Sequence, residues 1–319
     1  MYELIIQNEK EIYLPAVKDE ITWDTERKIS PGKLSFTLIQ DGDLKIDEGN
    51  PVRLKQNGKE VFYGFIFERS YDEGREIKVT AYDQLRYLKN KDTFVYENKK
   101  AGEVVEMLAA DFGLRTGDIE DTKYVIPSRV EDNATLADII QNALTLTLQH
   151  TNMLYVLYDD FGKIALKSIP SMELDLLIDE ETGQAYSYKT SIDGETYNKI
   201  KLTFENEETG KREIYIAKDS SNINKWGVLQ FYEALQEGES GNSKADSLLK
   251  LYNKKEKSLS VKGCFGDVRV RGGSLIPVIL DLGDMKIKHM MIVDKCKHTF
   301  SKDYHTMDLD LIGGDISAG

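Results

Sequence analysis

The sequence predicts a mainly β protein in which two similar small β-barrel domains flank an α/β module, and three observations carry that expectation. Apolar and polar residues alternate in both end regions of the chain, as half-buried strands require. Between these regions the apolar period lengthens to three or four. The strand pattern before that change then recurs 226 residues later: Pro51-Val52-Arg53-Leu54, a glycine turn and the apolar stretch around Ile66 correspond to Pro277-Val278-Ile279-Leu280, Gly283 and Met290-Met291-Ile292-Val293. With 319 residues the chain exceeds the ~250 at which single cores stop growing. Residues 1–92, 93–168 and 169–319 are therefore expected to form a first β-barrel domain, an α/β module and a second β-barrel domain.

In the first unit, Leu34-Ser35-Phe36-Thr37-Leu38 alternates as a strand. Val52 to Lys55 and Val61 to Phe67 form a hairpin across Asn57-Gly58, a dipeptide that tolerates the positive φ of a tight turn, and Ile77 to Ala81 adds a further strand. This is a small barrel or a sandwich. Past Lys89 to Asp92, the residues Val104, Val105, Leu108 and Phe112 share a helical face that stops at Gly113. A second helix is expected from an N-cap near Asn133, with a stripe of Leu136, Ile139, Ile140, Ala143, Leu144 and Leu148. Both helices need cover, and the hairpin of Leu154–Tyr158 and Lys163–Ile169 can supply it.

In the third unit, Ile200–Phe204 and Ile214–Ile216 read as a hairpin about Glu207-Glu208-Thr209-Gly210. A helical insertion at about 222–257 follows: one helix around Trp226, Leu229 and Leu235, an exposed loop at 237–242, and a second helix opened by Ser243 with a stripe of Ala245, Leu248, Leu249 and Tyr252. Strands resume at Leu259 and end with Met307 to Leu311. Pattern alone leaves two explanations for the repeat, a true duplication or two unrelated three-stranded meanders.

Composition removes several function classes. A formal charge of -13 repels phosphate, so specific nucleic-acid binding is not expected. No apolar run approaches membrane-spanning length, and the first ten residues lack a basic, apolar signal segment. Two cysteines, Cys264 and Cys296, make no disulfide framework and suit synthesis in a reducing cytoplasm.

Two stretches of the third unit, Lys225-Trp226-Gly227-Val228-Leu229-Gln230 and Gly266-Asp267-Val268-Arg269-Val270-Arg271-Gly272-Gly273-Ser274-Leu275-Ile276, resemble motifs of the XkdQ-like hub proteins of the PBSX type. In the first unit Ile21-Thr22-Trp23, Gly32-Lys33-Leu34-Ser35-Phe36, Gly64-Phe65-Ile66 and Thr80-Ala81-Tyr82-Asp83 resemble the same family. Trp226 stands where tyrosine is commoner. The resemblance implies a baseplate hub with the fold of the myophage central hub, in which each subunit carries two tube-like barrels and three subunits close a ring. It implies as partners a tail tube protein or adaptor, a separate spike, other baseplate proteins and a tape-measure protein, all within a phage or tailocin particle. Trp226, Gly227, Gln230, Asp267, Arg269, Arg271 and Gly273 are its candidate interface and motif residues. Other classes compatible with a β-rich chain are a cell-wall-degrading tail enzyme and a monomeric carbohydrate-binding β-protein.

Candidate chemistry is sparse. Asp111-Phe112-Gly113 and Asp160-Phe161-Gly162 spell a kinase tripeptide, but no glycine-rich loop or His-Arg-Asp accompanies either, so both read as turns. Cys296 and His298 share a strand face, with Cys264, His289 or His305 as further donors, yet the close-paired ligands of a structural zinc site are missing. No catalytic residue, metal or cofactor is expected. Arg269 and Arg271 alternate with Val268 and Val270, which predicts a doubly cationic strand face, either solvated or paired with acids of a neighbouring subunit.

Overall fold

A computed structural model describes all residues except 41–43, 73–74, 180, 207–209, 236–239, 282–285 and 314–319. The chain is mainly β, and a 12-stranded sheet forms its spine. The expected turns at Gly283 and Glu207-Glu208-Thr209, and residues 237–239 of the 237–242 loop, lie outside the described residues.

The first region contributes β1 (Tyr2–Asn8), β2 (Glu11–Tyr13), β3 (Ile21–Glu26), β4 (Lys33–Ile39), β5 (Pro51–Gln56), β6 (Lys59–Asp72) and β7 (Glu76–Tyr82). Along β4 only Leu34, Phe36 and Leu38 are buried, the alternation the sequence shows. Asn57 and Gly58 both take positive φ, 49° and 79°, so the β5–β6 hairpin closes with the twist its strands need. β6 is long enough to serve two partners, pairing with β5 up to Phe65 and with β7 from Phe65 onward. Gly64 sits at that crossing because a Cβ there would lie 2.3 Å from the Tyr82 carbonyl oxygen.

The central region contains β8 (Lys91–Lys100), α1 (Ala101–Asp111), β9 (Thr116–Ile119), β10 (Val125–Thr135), α2 (Leu136–Thr151), β11 (Tyr155–Asp159) and β12 (Ile164–Ser168). The apolar faces of both helices pack on Tyr155, Leu157, Ile164 and Leu166, so the hairpin is indeed their cover. α2 starts two residues later than the sequence suggests. Asn133 is left-handed (φ 50°) within β10, and Thr135 caps instead, its Oγ1 accepting the Asp138 N–H at 3.1 Å. The β8–β10 ribbon is absent from the sequence reading, because of β8 only Tyr96 is buried.

The last region holds β13 (Ala185–Ser191), β14 (Lys199–Asn206), β15 (Lys211–Lys218), α3 (Ser220–Trp226), β16 (Gln230–Ala234), α4 (Gly241–Tyr252), β17 (Glu256–Phe265), β18 (Leu275–Asp281), β19 (Lys286–Phe300) and β20 (His305–Ile312). The β14–β15 hairpin does not join the large sheet, contrary to expectation. With β16 it makes a separate sheet whose Ile200 and Leu202 are sealed by Ala245 and Leu248 of α4, so hairpin and helices form one inserted unit between β13 and β17. Two helix boundaries also move. α3 ends at Trp226, and Leu229 and Leu235 flank a strand; α4 begins at Gly241, before Ser243.

The pairing order repeats. β3-β4-β7-β6 with β5 on the early half of β6 corresponds to β13-β17-β20-β19 with β18 on the early half of β19. Each long strand carries a bulge where it turns to its last partner, between Ile66 and Glu68 in β6 and between Val293 and Lys295 in β19. These bulges are 227 residues apart, one more than the sequence offset. Gly49 and Gly273, at φ 85° and 96°, both donate to the carbonyl beside the bulge, Ile66 at 2.8 Å and Val293 at 2.7 Å.

Replacing Gly64 by alanine should cost about 1–3 kcal/mol, because a methyl group meets the Tyr82 backbone as well as the ring of Phe62, and the backbone cannot swing away. A thermal melt of G64A beside the parent protein checks this, and an unchanged midpoint would remove the steric account of the crossing.

Candidate functional site at the junction of the repeats

β3 pairs antiparallel with the late half of β19, from Ile21 opposite Phe300 to Glu26 opposite Lys295, and this joint makes one sheet of the two repeats. Trp23 stacks on His298 at 5.0 Å between ring centroids, and Phe300 reaches across into the core of the first repeat. Beside it, Arg27 holds the bulge residue Asp294 twice, through an ion pair at 3.0 Å and through its backbone N–H to the Asp294 carbonyl at 2.8 Å.

The segment 266–274 lies over this joint. It is not a strand: turns at Val268-Arg269 and Gly272-Gly273 break it, and the doubly cationic face does not form. Gly272 backs onto the end of β3, where a Cβ would lie 2.2 Å from the Glu26 carbonyl carbon, and its N–H donates to Thr25 Oγ1 at 3.0 Å. A Cβ on Gly273 would press on Val156 at 2.8 Å. Val270 is buried in the second core and Val268 packs against the first. The two arginines therefore part company. Arg269 stays at the surface and pairs with Asp267 and Asp175, both at 2.7 Å, which holds those carboxyls below their ordinary range; exposed pairs of this kind contribute little. Arg271 turns inward, its guanidinium carbon 5.6 Å from the Trp23 ring and 4.6 Å from that of Tyr158, and Nη1 donates to the Asp159 carbonyl at 2.8 Å. One side chain thus touches both the first repeat and the central module from a loop of the second.

Near Arg271 lie two buried carboxyls, Asp83 and Asp159. Asp83 accepts backbone N–H groups from Gly32 at 2.8 Å and Leu85 at 3.0 Å, and Asp159 accepts that of Gly162 at 2.7 Å, so each carboxyl fixes a turn. Burial, then the charge of Asp159, pushes Asp83 well up, and burial raises Asp159 to about 6. Asp159 Oδ2 is buried with no hydrogen-bond partner among the described residues. These are sealed structural acids.

His298 is fully buried, its Nε2 within 2.8 Å of the Val270 carbonyl and 3.1 Å of Cys296 Sγ, its Nδ1 within 2.9 Å of His305 Nε2. Desolvation lowers His298 to about 3 and His305 to about 4, and raises the Cys264 thiol to about 11, so these groups sit neutral. Among the described residues no group of three His, Cys, Asp or Glu side chains is arranged to hold a metal.

The other sequence motif lies elsewhere. Trp226, Gly227 and Gln230 belong to the inserted unit, where Gly227 (φ 80°) ends α3. Buried Asn198 pins that turn, donating to the Gly227 carbonyl at 2.7 Å and accepting the Leu229 N–H at 2.9 Å. Asn198 has no signal in the sequence, because its partners come about thirty residues later.

A family model described as YQBQ-like matches residues 21–312. The chain belongs to the YqbQ-like family. It is 32% identical over 98% of its length to two proteins of Bacillus subtilis (strain 168), the phage-like element PBSX protein XkdQ and the uncharacterized protein YqbQ, covering 97% of each. The resemblance read from the two motifs is thus a family relationship. A solved structure of the 43 kDa tail protein of prophage MuSo2 from Shewanella oneidensis shares the fold, with a TM-score of 0.72, 13% identity and coverage of 98% of this chain and 99% of that one.

Because both buried acids titrate upward on folding, their contribution to stability is complete below the ordinary carboxylate range and is lost as pH rises through about 6 for Asp159. Asp159→Asn keeps the acceptor for Gly162 and removes the charge. Its stability relative to the parent should therefore improve between pH 4.5 and pH 7.5, by on the order of 2 kcal/mol. Arg271→Met should do the opposite, losing more at pH 7.5 than at pH 4.5. Urea melts at the two pH values measure both, and a pH-independent difference in either variant contradicts the coupling.

Proposed function

We propose that this YqbQ-like protein is the structural hub of a contractile phage-tail or tailocin baseplate, a homotrimer whose six repeats form a pseudo-sixfold ring between the tail tube and a separate spike. The observation that carries the reading is the repeated pairing order, β3-β4-β7-β6-β5 and β13-β17-β20-β19-β18. Three copies with two like units each offer six similar faces upward and a three-fold arrangement downward, so the ring can join parts of different symmetry. Each unit is read as a small tube-like barrel. The family supports the setting, since the relative XkdQ is named as a protein of a phage-like element and the Shewanella structure is that of a prophage tail protein.

How the polar groups are used supports a non-catalytic role. The two carboxyls most perturbed by burial hold turns, and the buried imidazoles are neutral and bonded to neighbours. The net charge of -13 is compatible with an acidic lumen, which would keep phosphate from sticking as DNA or a tape-measure protein passes through the ring. Other baseplate proteins would meet the outer faces, including the inserted unit around Trp226 and Gln230.

Multi-angle light scattering of the purified chain tests the ring. A mass of three copies, alone or on addition of the tube protein, is expected. A monomer under both conditions would reject the hub in favour of a stand-alone β-protein.

A further inference from the structure

Superposing the two repeats by their hydrogen-bond ladders shows which strand edges correspond. A row of facing residues crosses the first repeat from Trp23 in β3 through Leu34 and Ala81 to Ile66 in β6. The corresponding row runs from Tyr188 in β13 through Leu259 and Leu311 to Val293 in β19. Ile66 and Val293 occupy the same place beside their bulges, so β13 is the counterpart of β3 and β6 that of β19. Within one chain, β3 of the first repeat fills the outer edge of β19 in the second. The two edges left over are those this operation would join next: β13 ends the sheet, and the stretch of β6 from Glu68 to Tyr71 has a strand on its β7 side alone among the described residues.

We infer that β13 of one copy adds to β6 of the next in the antiparallel register that places Tyr188 opposite Tyr71, a subunit contact that rests on the hub reading above. The register follows from counting. Trp23 faces His298, five residues past Val293, and five residues past Ile66 is Tyr71. Lys189 then faces Ser70, Thr190 faces Arg69 and Ser191 faces Glu68.

Three features of the free edges fit this occupant. Tyr71 is 59% exposed although its counterpart His298 is fully buried under Trp23, so an aromatic partner is missing from one position and supplied at the other. β13 exposes five of its seven residues, including Tyr186 and Lys189, and among the described residues has a strand on its β17 side only; an edge strand of this length invites pairing. Thr190 stands where Thr25 stands, and Thr25 Oγ1 accepts from Gly272 in the loop over the joint. The equivalent loop in the first repeat carries Glu48 next to Gly49, beside Arg69, whose Nη1 donates to the Ile46 carbonyl. Its Glu48 N–H is the donor expected to meet Thr190. The interface is heterologous: one edge meets a different edge, so repetition leads around a ring or along a filament and cannot stop at a two-fold dimer.

Directly opposed residues in such a ladder have Cβ atoms about 4.5–5.5 Å apart, which is within reach of a disulfide after small adjustment. The test is a pair of double variants, Tyr71→Cys with Tyr188→Cys and Ser70→Cys with Lys189→Cys, the second keeping both tyrosines. Oxidised glutathione accepts the two electrons of each new S–S bond, and the native thiols of Cys264 and Cys296 are buried away from it. Covalent dimers and trimers on a non-reducing gel are expected from both pairs, and none from the one-residue slip Tyr71→Cys with Lys189→Cys. Cross-linking by the slipped pair alone overturns the register. A three-copy mass with no cross-linking in any pair overturns the edge contact while the hub reading stands, and a monomeric parent protein with no cross-linking overturns both.

Discussion

The pairing of β3 with β19 is the constraint from which the remaining architecture follows. It turns two like units into one sheet, brings Trp23 onto His298, and sets the end of β3 against the glycine loop that precedes β18. Arg271 then has a fixed place, between two aromatic faces and beside a buried acid pair, and its planar charge spreads over groups that would otherwise face one another unshielded. Gly272 and Gly273 are required for the same reason. Without a side chain they let the loop approach backbone and Val156 closely enough for Arg271 to reach inward.

Much of the fold was legible because burial in a two-faced strand leaves a period of two. Leu34, Phe36 and Leu38 show it, and Asn57-Gly58 marks the turn between β5 and β6 by its tolerance of positive φ. The apolar faces of α1 and α2 were equally plain. Illegible elements lack that contrast: β8 and β10 expose most of their residues, and β16 is too short and too exposed to outweigh the helical reading of Leu229 and Leu235.

The candidate site was legible in its location and misread in its form. Val268-Arg269-Val270-Arg271 alternates, and the valines do face cores, but Gly272-Gly273 and the turn at Val268-Arg269 give loop geometry in place of a ladder. What fixes the site is remote in sequence. Asp83 and Asp159 are ordinary polar residues until the fold places backbone donors around them, and no local spacing announces that. The repeat was visible as a pattern, whereas its identity as one pairing order needed the ladders.

Phe300 lies in β19 yet fills the core of the first repeat, where it is fully buried. A chain emerging from the ribosome would complete β1 to β7 more than two hundred residues before that ring exists. Until then the first core has a phenyl-sized gap and the outer edge of β3 is bare, so final consolidation must wait for late synthesis. Once the ring is seated, melting either repeat strips Phe300 or the β3–β19 joint of its cover, so the two repeats are coupled across the main sheet.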